Sequence, residues 1–589
     1  MALGNRLSED PTNSLSYQTW ISELTLYRDS GDKEIMIPRY YVAANGPYTG
    51  AKYNWNDSTV PQVNLGNREV VFTQGKLIGG GSGLNAMVYD RGRAADYDAW
   101  ADLGNPGWNF DSLLPYFRRV GFQTLSEPLG LLWVPTNIQI QAETFTPPSD
   151  DQVEEFGITW NPECHGTDGP VQSSYCRYVY PQHNNFMAAF ESLGVSQPLD
   201  QSCGNTLGAY LTTHSIHPTN QSRSFGRTAW YDSSIDRANL HVLTETHVTK
   251  LVTAARNDTV VVTGVEFAAS RESGKASVNV VKEAILSAGS LRSPQLLMLS
   301  GIGQKAQVEE HRIDSVVDLP GVGANLQDHA INAMVLSNLE NETFDSVQGD
   351  LYYENRTGRW TDGLPATLAF IPYLDFASNP DVLDSMDAST ASTYLANITD
   401  PSVRAGYKAQ IEHVVANHRD RKTAGQELMV LNGGTFLVTI LMHPLSRGTV
   451  TLASADPFDH PVIDPRYLSH PADRQLYADA LKYDRKIVAT EEFQAMKAVE
   501  VAPGGEITDD ASLGAYAAAG LSTVWHPAGT CAMMPIELGG VVDSHLRVYG
   551  VSNLRIVDAS IIPMLPAAHV QGTTYAIAEK AADMIKSGI

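Results

Sequence analysis

The sequence predicts a mixed α/β protein, α+β overall, with at least two domains. Three observations carry that reading. At 589 residues, the chain is well past the ~250–300 residues at which one hydrophobic core stops growing. Strand-like runs at 240–243, 248–252, 260–267 and 284–286, with turns at Arg256-Asn257-Asp258 and Ser273-Gly274-Lys275, predict an antiparallel meander over 239–287. Two strand-to-helix units complete the pattern. Ala284-Ile285-Leu286 runs through Ala288-Gly289 into an apolar helix at 294–299 stopped by Gly301. A strand at 551–557 and a loop at 558–572 lead to a helix at 573–586 with Ile577, Ala578, Ala581, Ala582 and Ile585 on one face.

Taken from the start, residues 2–10 read as the tail of a helix entering a polar turn at Pro11-Thr12-Asn13-Ser14. By pattern, the chain is therefore expected to open in mid-element. A Gly-dense loop at 75–85 leaves backbone N–H groups open to close approach by a ligand. The stretch 331–425, rich in Asn, Asp, Thr and Tyr, carries no motif and is expected to be a second domain or long cap. No internal repeat is present.

Composition narrows the function. Hydrophobic residues at 43%, charged residues at 18%, 47 Gly and 31 Pro describe a globular, loop-rich, enzyme-sized chain. The formal charge of −25 repels phosphate backbones, so nucleic acid is not an expected partner. The longest apolar run, 436–442, falls far short of the ~20 residues that span a bilayer, and no membrane span is expected. Cys164, Cys176, Cys203 and Cys531 are too few and too widely spaced for a disulfide framework or a thiolate zinc site. At most, Cys164 and Cys176 are placed to bridge locally. Sequons at Asn56, Asn220, Asn257, Asn341, Asn355 and Asn397 matter only in a secreted protein. No signal-peptide pattern follows Met1, which leaves localisation open. His214-Ser215-Ile216-His217 has no nearby Cys or carboxylate, so no metal is expected. Residues 301–306 fit a dinucleotide fingerprint in form but follow a helix, and no Gly-x-Ser-x-Gly elbow occurs.

Three ordered segments resemble the glucose-methanol-choline flavoprotein oxidoreductases. The first is the loop 75–85 running on through Met87-Val88-Tyr89-Asp90-Arg91-Gly92, then Asp96-Tyr97-Asp98-Ala99-Trp100 and Gly107-Trp108. The second is Ala288-Gly289, Ser293-Pro294-Gln295-Leu296-Leu297 and Ser300-Gly301-Ile302-Gly303, extended by 319–323 and Asn325-Leu326-Gln327-Asp328-His329. The third is Trp525-His526-Pro527-Ala528-Gly529-Thr530, then Val557-Asp558-Ala559-Ser560 and Ala578-Glu579-Lys580-Ala581-Ala582. Together they span nearly the whole chain.

The resemblance implies a discontinuous, Rossmann-like FAD-binding domain from residues 1–125, 220–330 and 522–589, and a substrate or cap domain with an antiparallel sheet and helices from 126–219 and 331–521. It implies oxidation of a small-molecule alcohol by hydride transfer to flavin N5, with oxygen or another oxidant as final acceptor. His526 is implied as the base, a role that suits an imidazole of free pKa ~6.5. His569, 43 positions later, is implied as the partner that holds the substrate oxygen and its developing charge. Gly80, Gly81, Ser82 and Asn85 match positions along the isoalloxazine or pyrophosphate, and Val248 matches one whose backbone meets the adenine. Asp558 and Ala559 match positions beside the pyrophosphate and ribityl chain, and Trp525, Val570 and Gln571 match further cofactor contacts. Taken singly, the loop is equally an ordinary turn, Val248 a strand valine and Asp558 a cap. The His/His pairing and the Ala-His-Val-Gln context are most similar to the fungal aryl-alcohol and secondary-metabolite branch. That implies an aromatic or polyketide-derived alcohol.

One departure stands at the start. The family opens with a strand, a Gly-x-Gly-x-x-Gly turn and a helix that holds the FAD pyrophosphate, then a second strand ending in an acid. That opening is absent, Gly4 to Asp10 looks like the stretch after the turn, and 15–28 does not resemble the expected second strand. FAD binding is thereby placed in doubt. The expectation is a true start upstream of Met1 with a misplaced splice; the alternative is a chain that has abandoned FAD. In that second case the fold would serve as a non-redox cyclase in a natural-product pathway, or the product would be inactive.

Overall fold

The computed structural model describes residues 1–9, 17–20, 33–39, 53–118, 142–257, 259–337, 346–364, 366–379, 381–386 and 400–589. The predicted turn at 11–14, most of 15–28, the sequons at Asn341 and Asn397, and parts of 331–425 lie outside them.

The fold is the predicted mixture of α and β, and its sheets fall into two kinds. Parallel pairs mark the first. The strand Tyr17–Trp20 runs parallel to Leu240–Leu243, in register Tyr17 with Leu240. The segment that does not read as the expected second strand therefore supplies one, in keeping with the strand preference of Tyr, Thr and Trp. Ala284–Leu286 runs parallel to Leu554–Ile556. Each member of this second pair feeds a helix-bearing segment, Gly289–Leu299 on one side and Val570–Lys586 on the other.

Only the middle of the expected meander is antiparallel. His247–Arg256, Thr259–Ala268 and Ala276–Asn279 form a three-stranded sheet. Leu240–Leu243 and Ala284–Leu286 leave it for the parallel pairs. Period-2 alternation shows that a segment is extended but not which strand it pairs with, and one partner sits some 270 positions away.

The C-terminal helix starts three residues before its predicted start, at Val570, with His569 as its N-cap. Ile577, Ala581, Ala582 and Ile585 are buried as the pattern requires. This helix packs on Phe110–Phe117 and on Ala2–Leu7, whose Arg6 pairs with Asp583 at 2.8 Å.

The stretch without motif contributes to a seven-stranded antiparallel sheet. Its order is Val499–Ala502, Ala330–Ser337, Phe436–Leu441, Gln426–Leu431, Thr367–Ile371, Gly208–Leu211, with Ser522–Thr523 also paired to Ala330–Ser337. The apolar run at 436–442 becomes a central strand buried on both faces. One face packs against the helices Pro471–Val488 and Asp510–Gly520. The other presents Tyr210, Leu368, Phe370, Met429, Val438 and Ile440 toward Val88 and Ala567. This second face looks onto the loops that carry the predicted histidines.

The disulfide differs from the expected pairing. Cys164 bonds to Cys203, 39 residues on, and Cys176 is a buried free thiol. The Cys176 sulfur instead accepts the Gly363 N–H at 3.0 Å and lies 3.3 Å from His214 Nδ1. Spacing cannot reveal this, because the turns at Pro162–Cys164 and Gln201–Cys203 are brought together by Arg91, which donates to the carbonyls of Cys164 and Ser202. Replacing Cys203 with Ser is expected to lower the unfolding free energy by about 2–4 kcal/mol through the opened loop, read as a lower denaturant midpoint with a steeper slope, since the uncrosslinked chain unfolds to a more expanded state.

Candidate active site

Two histidines of the third segment, 43 positions apart, meet in space. His526 follows Trp525, whose φ of +61° is an uncommon backbone conformation for a bulky residue. The turn is pinned on both sides: Trp525 N–H donates to Thr523 Oγ1 at 2.7 Å and His526 N–H to Asp328 Oδ1 at 2.9 Å. His569 caps the C-terminal helix. Its N–H donates to Asp90 Oδ1 at 2.9 Å and its ring Nδ1 lies 3.1 Å from Asp90 Oδ2. The two imidazole rings stand edge to face, centroids 5.3 Å apart at 82°.

Their protonation is set by their neighbours. His329 Nε2 is 2.9 Å from the Met442 carbonyl, so that nitrogen carries a proton, and a neutral ring then has a bare Nδ1. His526 Nδ1 lies 3.0 Å from that bare nitrogen and must donate to it. His526 Nε2 is left with its lone pair free. Burial, with His329 and His569 close by, pushes the His526 pKa well below that of free imidazole and keeps the ring neutral.

His569 is the opposite case. Burial works against its charge, but the carboxylates of Glu427 and Asp90, with the Asp90 hydrogen bond, outweigh it and raise the pKa to about 9. Glu427 stands on the strand Gln426–Leu431, opposite Phe370 and Ile440 on the apolar face. Its Oε1 has no hydrogen-bond partner and lies 3.9 Å from His569 Nε2. Burial, helped by Asp90 and opposed by His569, pushes Glu427 up to about 7. The pair thus sets a neutral acceptor against a cationic donor, able to take a proton from one hydroxyl and to hydrogen-bond its oxygen.

The glycine loop lies against the same helix end. Asn85 Nδ2 donates to Gln571 Oε1 at 2.5 Å, and buried Arg223 binds the carbonyls of Ser82 and Asn85 at 3.2 and 2.7 Å. Ser82 Oγ donates to the Gly79 carbonyl and receives the Gly226 N–H. The Ser82 and Asn85 side chains thus hold the loop, and the backbone is what the loop presents. A Cβ built on Gly80 or Gly81 meets nothing within 4 Å, whereas one on Gly75 strikes the Gly80 carbonyl carbon at 2.3 Å. Gly289, at φ +81°, is likewise open. The backbone at Gly80, Gly81 and Gly289 is therefore open to close approach by a ligand.

Asp558 behaves as a cap. Its carboxylate accepts Ser560 N–H, Gly289 N–H and Ser293 Oγ at 2.8, 3.0 and 2.5 Å. It ties the Ala559 turn to the start of Gly289–Leu299, a shared cradle made of backbone. Val570 is the first residue of its helix, and Gln571 reaches Ser215 and Tyr575 at 3.3 Å. Val248 lies apart from the histidines, on a strand that packs against Gly289–Leu299. Among the described residues no group of three or more potential metal ligands occurs.

Sequence reasoning quoted Asp90, Asp328 and His329 within motifs but gave them no role, and it missed Glu427. A lone carboxylate in Gln426-Glu427-Leu428-Met429-Val430-Leu431 is a readable signal, since an unpaired charge is costly in a buried strand.

Comparisons place the chain in a family. Residues 25–331 and 444–578 match the two GMC oxidoreductase family models. The chain belongs to the GMC oxidoreductases, flavoprotein enzymes that oxidise alcohols, and membership implies FAD. Dehydrogenase xptC of Emericella nidulans is 32% identical over 95% of this chain and 87% of its own length. GMC oxidoreductase family protein Mala s 12 of Malassezia sympodialis is 31% identical over 91% and 83%. An FAD-dependent oxidoreductase from Chaetomium thermophilum superposes with a TM-score of 0.88 at 31% identity, covering 100% of this chain and 97% of that one. A fungal aryl-alcohol oxidase gives 0.84 at 26% identity, with the same coverage.

Proposed function

We propose that the chain oxidises an aromatic or polyketide-derived alcohol, with His526 as base and His569 as its partner. The observation that carries this is the pairing of a neutral imidazole whose Nε2 is free with a cationic one at 5.3 Å. A hydroxyl between them gives its proton to His526 Nε2 as it accepts a hydrogen bond from His569. Asp90 keeps His569 charged and oriented, so the oxygen's developing negative charge is met by a cation already in place. The aromatic preference is supported by the facing sheet, where Tyr210 and Phe370 stack at 6.1 Å and 9° among Leu368, Met429, Val438 and Ile440.

FAD is the cofactor this reading assigns; when bound it would supply the two-electron acceptor for the alcohol carbon, with oxygen or another oxidant as the final acceptor. The residues that would hold it are the backbone of Gly80 and Gly81, Gly289, the Asp558–Ala559 turn, Trp525, Val570 and Gln571, with Val248 at the adenine end. The sequence carries no Gly-x-Gly-x-x-Gly turn between a strand and a helix for the phosphates, so cofactor retention is the first measurement to make. Purified protein is expected to show a flavin band near about 450 nm that bleaches anaerobically on adding an aryl alcohol. A colourless, folded protein that still converts a natural-product substrate would overturn the oxidase reading in favour of a cyclase.

A further inference from the structure

Asp96 sits in the helix Ala94–Asp102, buried, and belongs to neither catalytic segment. Its Oδ2 accepts the Ala567 N–H at 2.9 Å, two residues before His569. Its Oδ1 accepts the Thr423 hydroxyl at 2.8 Å and lies 3.3 Å from His443 Nε2. Since Thr423 donates to Asp96, its oxygen is free to accept from His443 Nε2, 2.6 Å away. His443 follows Met442 in the chain, and the Met442 carbonyl is the group that fixes His329 and, through it, the Nδ1 proton of His526. On the far side, the His418 ring stands edge-on to His443 at 5.8 Å and closes the cluster.

One carboxylate therefore ties the backbone of the loop ending in His569, through Ala567, to the His443 side chain, which stands next to Met442 at the strand end that sets His526. Burial would raise the Asp96 pKa, but His443 and the hydrogen bonds from Ala567 and Thr423 outweigh it and hold the group as a carboxylate. A buried carboxylate–imidazole pair adds little net stability over apolar packing. What it adds is direction, because each of its bonds accepts only a narrow geometry.

We infer that Asp96 and His443 are positioning residues that hold the two catalytic histidines at one fixed separation and orientation. The inference rests on the roles given to His526 and His569 above. Neither residue touches substrate. Their effect passes through Ala567 on one side and Met442–His329 on the other, and a misplacement of about 1 Å is enough to cost on the order of 10²-fold in rate.

The test uses the flavin-loaded enzyme, an aryl alcohol and ¹⁵N-labelled histidine. In Asp96→Ala and His443→Phe, kcat is expected to fall by about tenfold or more with KM held within about threefold, since the apolar face is untouched. Asp96→Asn, which keeps an oxygen for Ala567 N–H, should recover much of the loss. In the ring spectra, assigned with His526→Gln and His569→Gln, Asp96→Ala should move the signals of both histidines, whereas Asp90→Asn should move mainly that of His569. Unchanged kcat in a folded Asp96→Ala enzyme, or movement of one ring alone, would overturn the inference. Should Asp96→Ala fail to fold, Thr423→Val provides the same two readouts. Normal turnover in His526→Ala would sink the base assignment instead, and the ring spectra would still report on the brace.

Discussion

Replacing His526 with alanine is expected to lower kcat on an aromatic alcohol by about 10²–10⁴-fold, the usual worth of a positioned general base, with the flavin absorption unchanged. The geometry says why no neighbour takes over. His329 is the adjacent imidazole, but its Nε2 proton is committed to the Met442 carbonyl and its Nδ1 faces the ring that His526 supplies. His569 is cationic at neutral pH and has no lone pair to offer. Asp328 has both carboxyl oxygens committed, one to the His526 N–H and the other to the Tyr467 hydroxyl. Rapid-mixing kinetics of flavin reduction provide the check, and an unaltered reduction rate in the variant refutes the role.

The second large effect is electrostatic. Replacing Asp90 with Asn should move the alkaline limb of kcat/KM toward neutral pH by about one unit or more, the usual reach of a removed charge partner, and cost about twofold or more near pH 8. The sign follows from His569. Its pKa in the folded enzyme, about 9, lies above that of free imidazole, so the cation persists below about 9 and is lost as pH rises through that value. Activity that depends on the cation falls over the same window. Removing Asp90 takes away both a charge and a hydrogen bond, so the cation is lost at lower pH. The same shift links to stability: the contribution is complete below about 6.5 and disappears as pH rises through about 9. Glu427→Gln should move the limb in the same direction, since Glu427 also raises His569. Superimposable pH profiles for parent and Asp90→Asn would show that the cation is not what holds the oxygen.

Much of the site was legible in order along the chain. The glycine loop, the His526 turn and the His569 cap each stand inside short motifs with strong local geometry, and the fold brings the two histidine rings together. The groups that set their chemistry were harder to read. Asp90 is one carboxylate among many until His569 is folded onto it, and Glu427 lies on a strand in a region without motif. The same limit applies to the strands. Leu240–Leu243 and Ala284–Leu286 read as extended, yet their parallel partners come from opposite ends of the chain. The cysteines repeat the lesson, with the bridge chosen by the packing of Arg91 against two distant turns.

By itself, then, the sequence determined the α/β mixture and the family, and it singled out the two histidines on which the proposed site rests, because these reside in local spacing and residue type. Only the tertiary structure decided which histidine is neutral and which is charged. Protonation depends on burial and on the nearest donor, acceptor and charge, and here those come from Met442, His329, Asp90 and Glu427, brought together from across the chain.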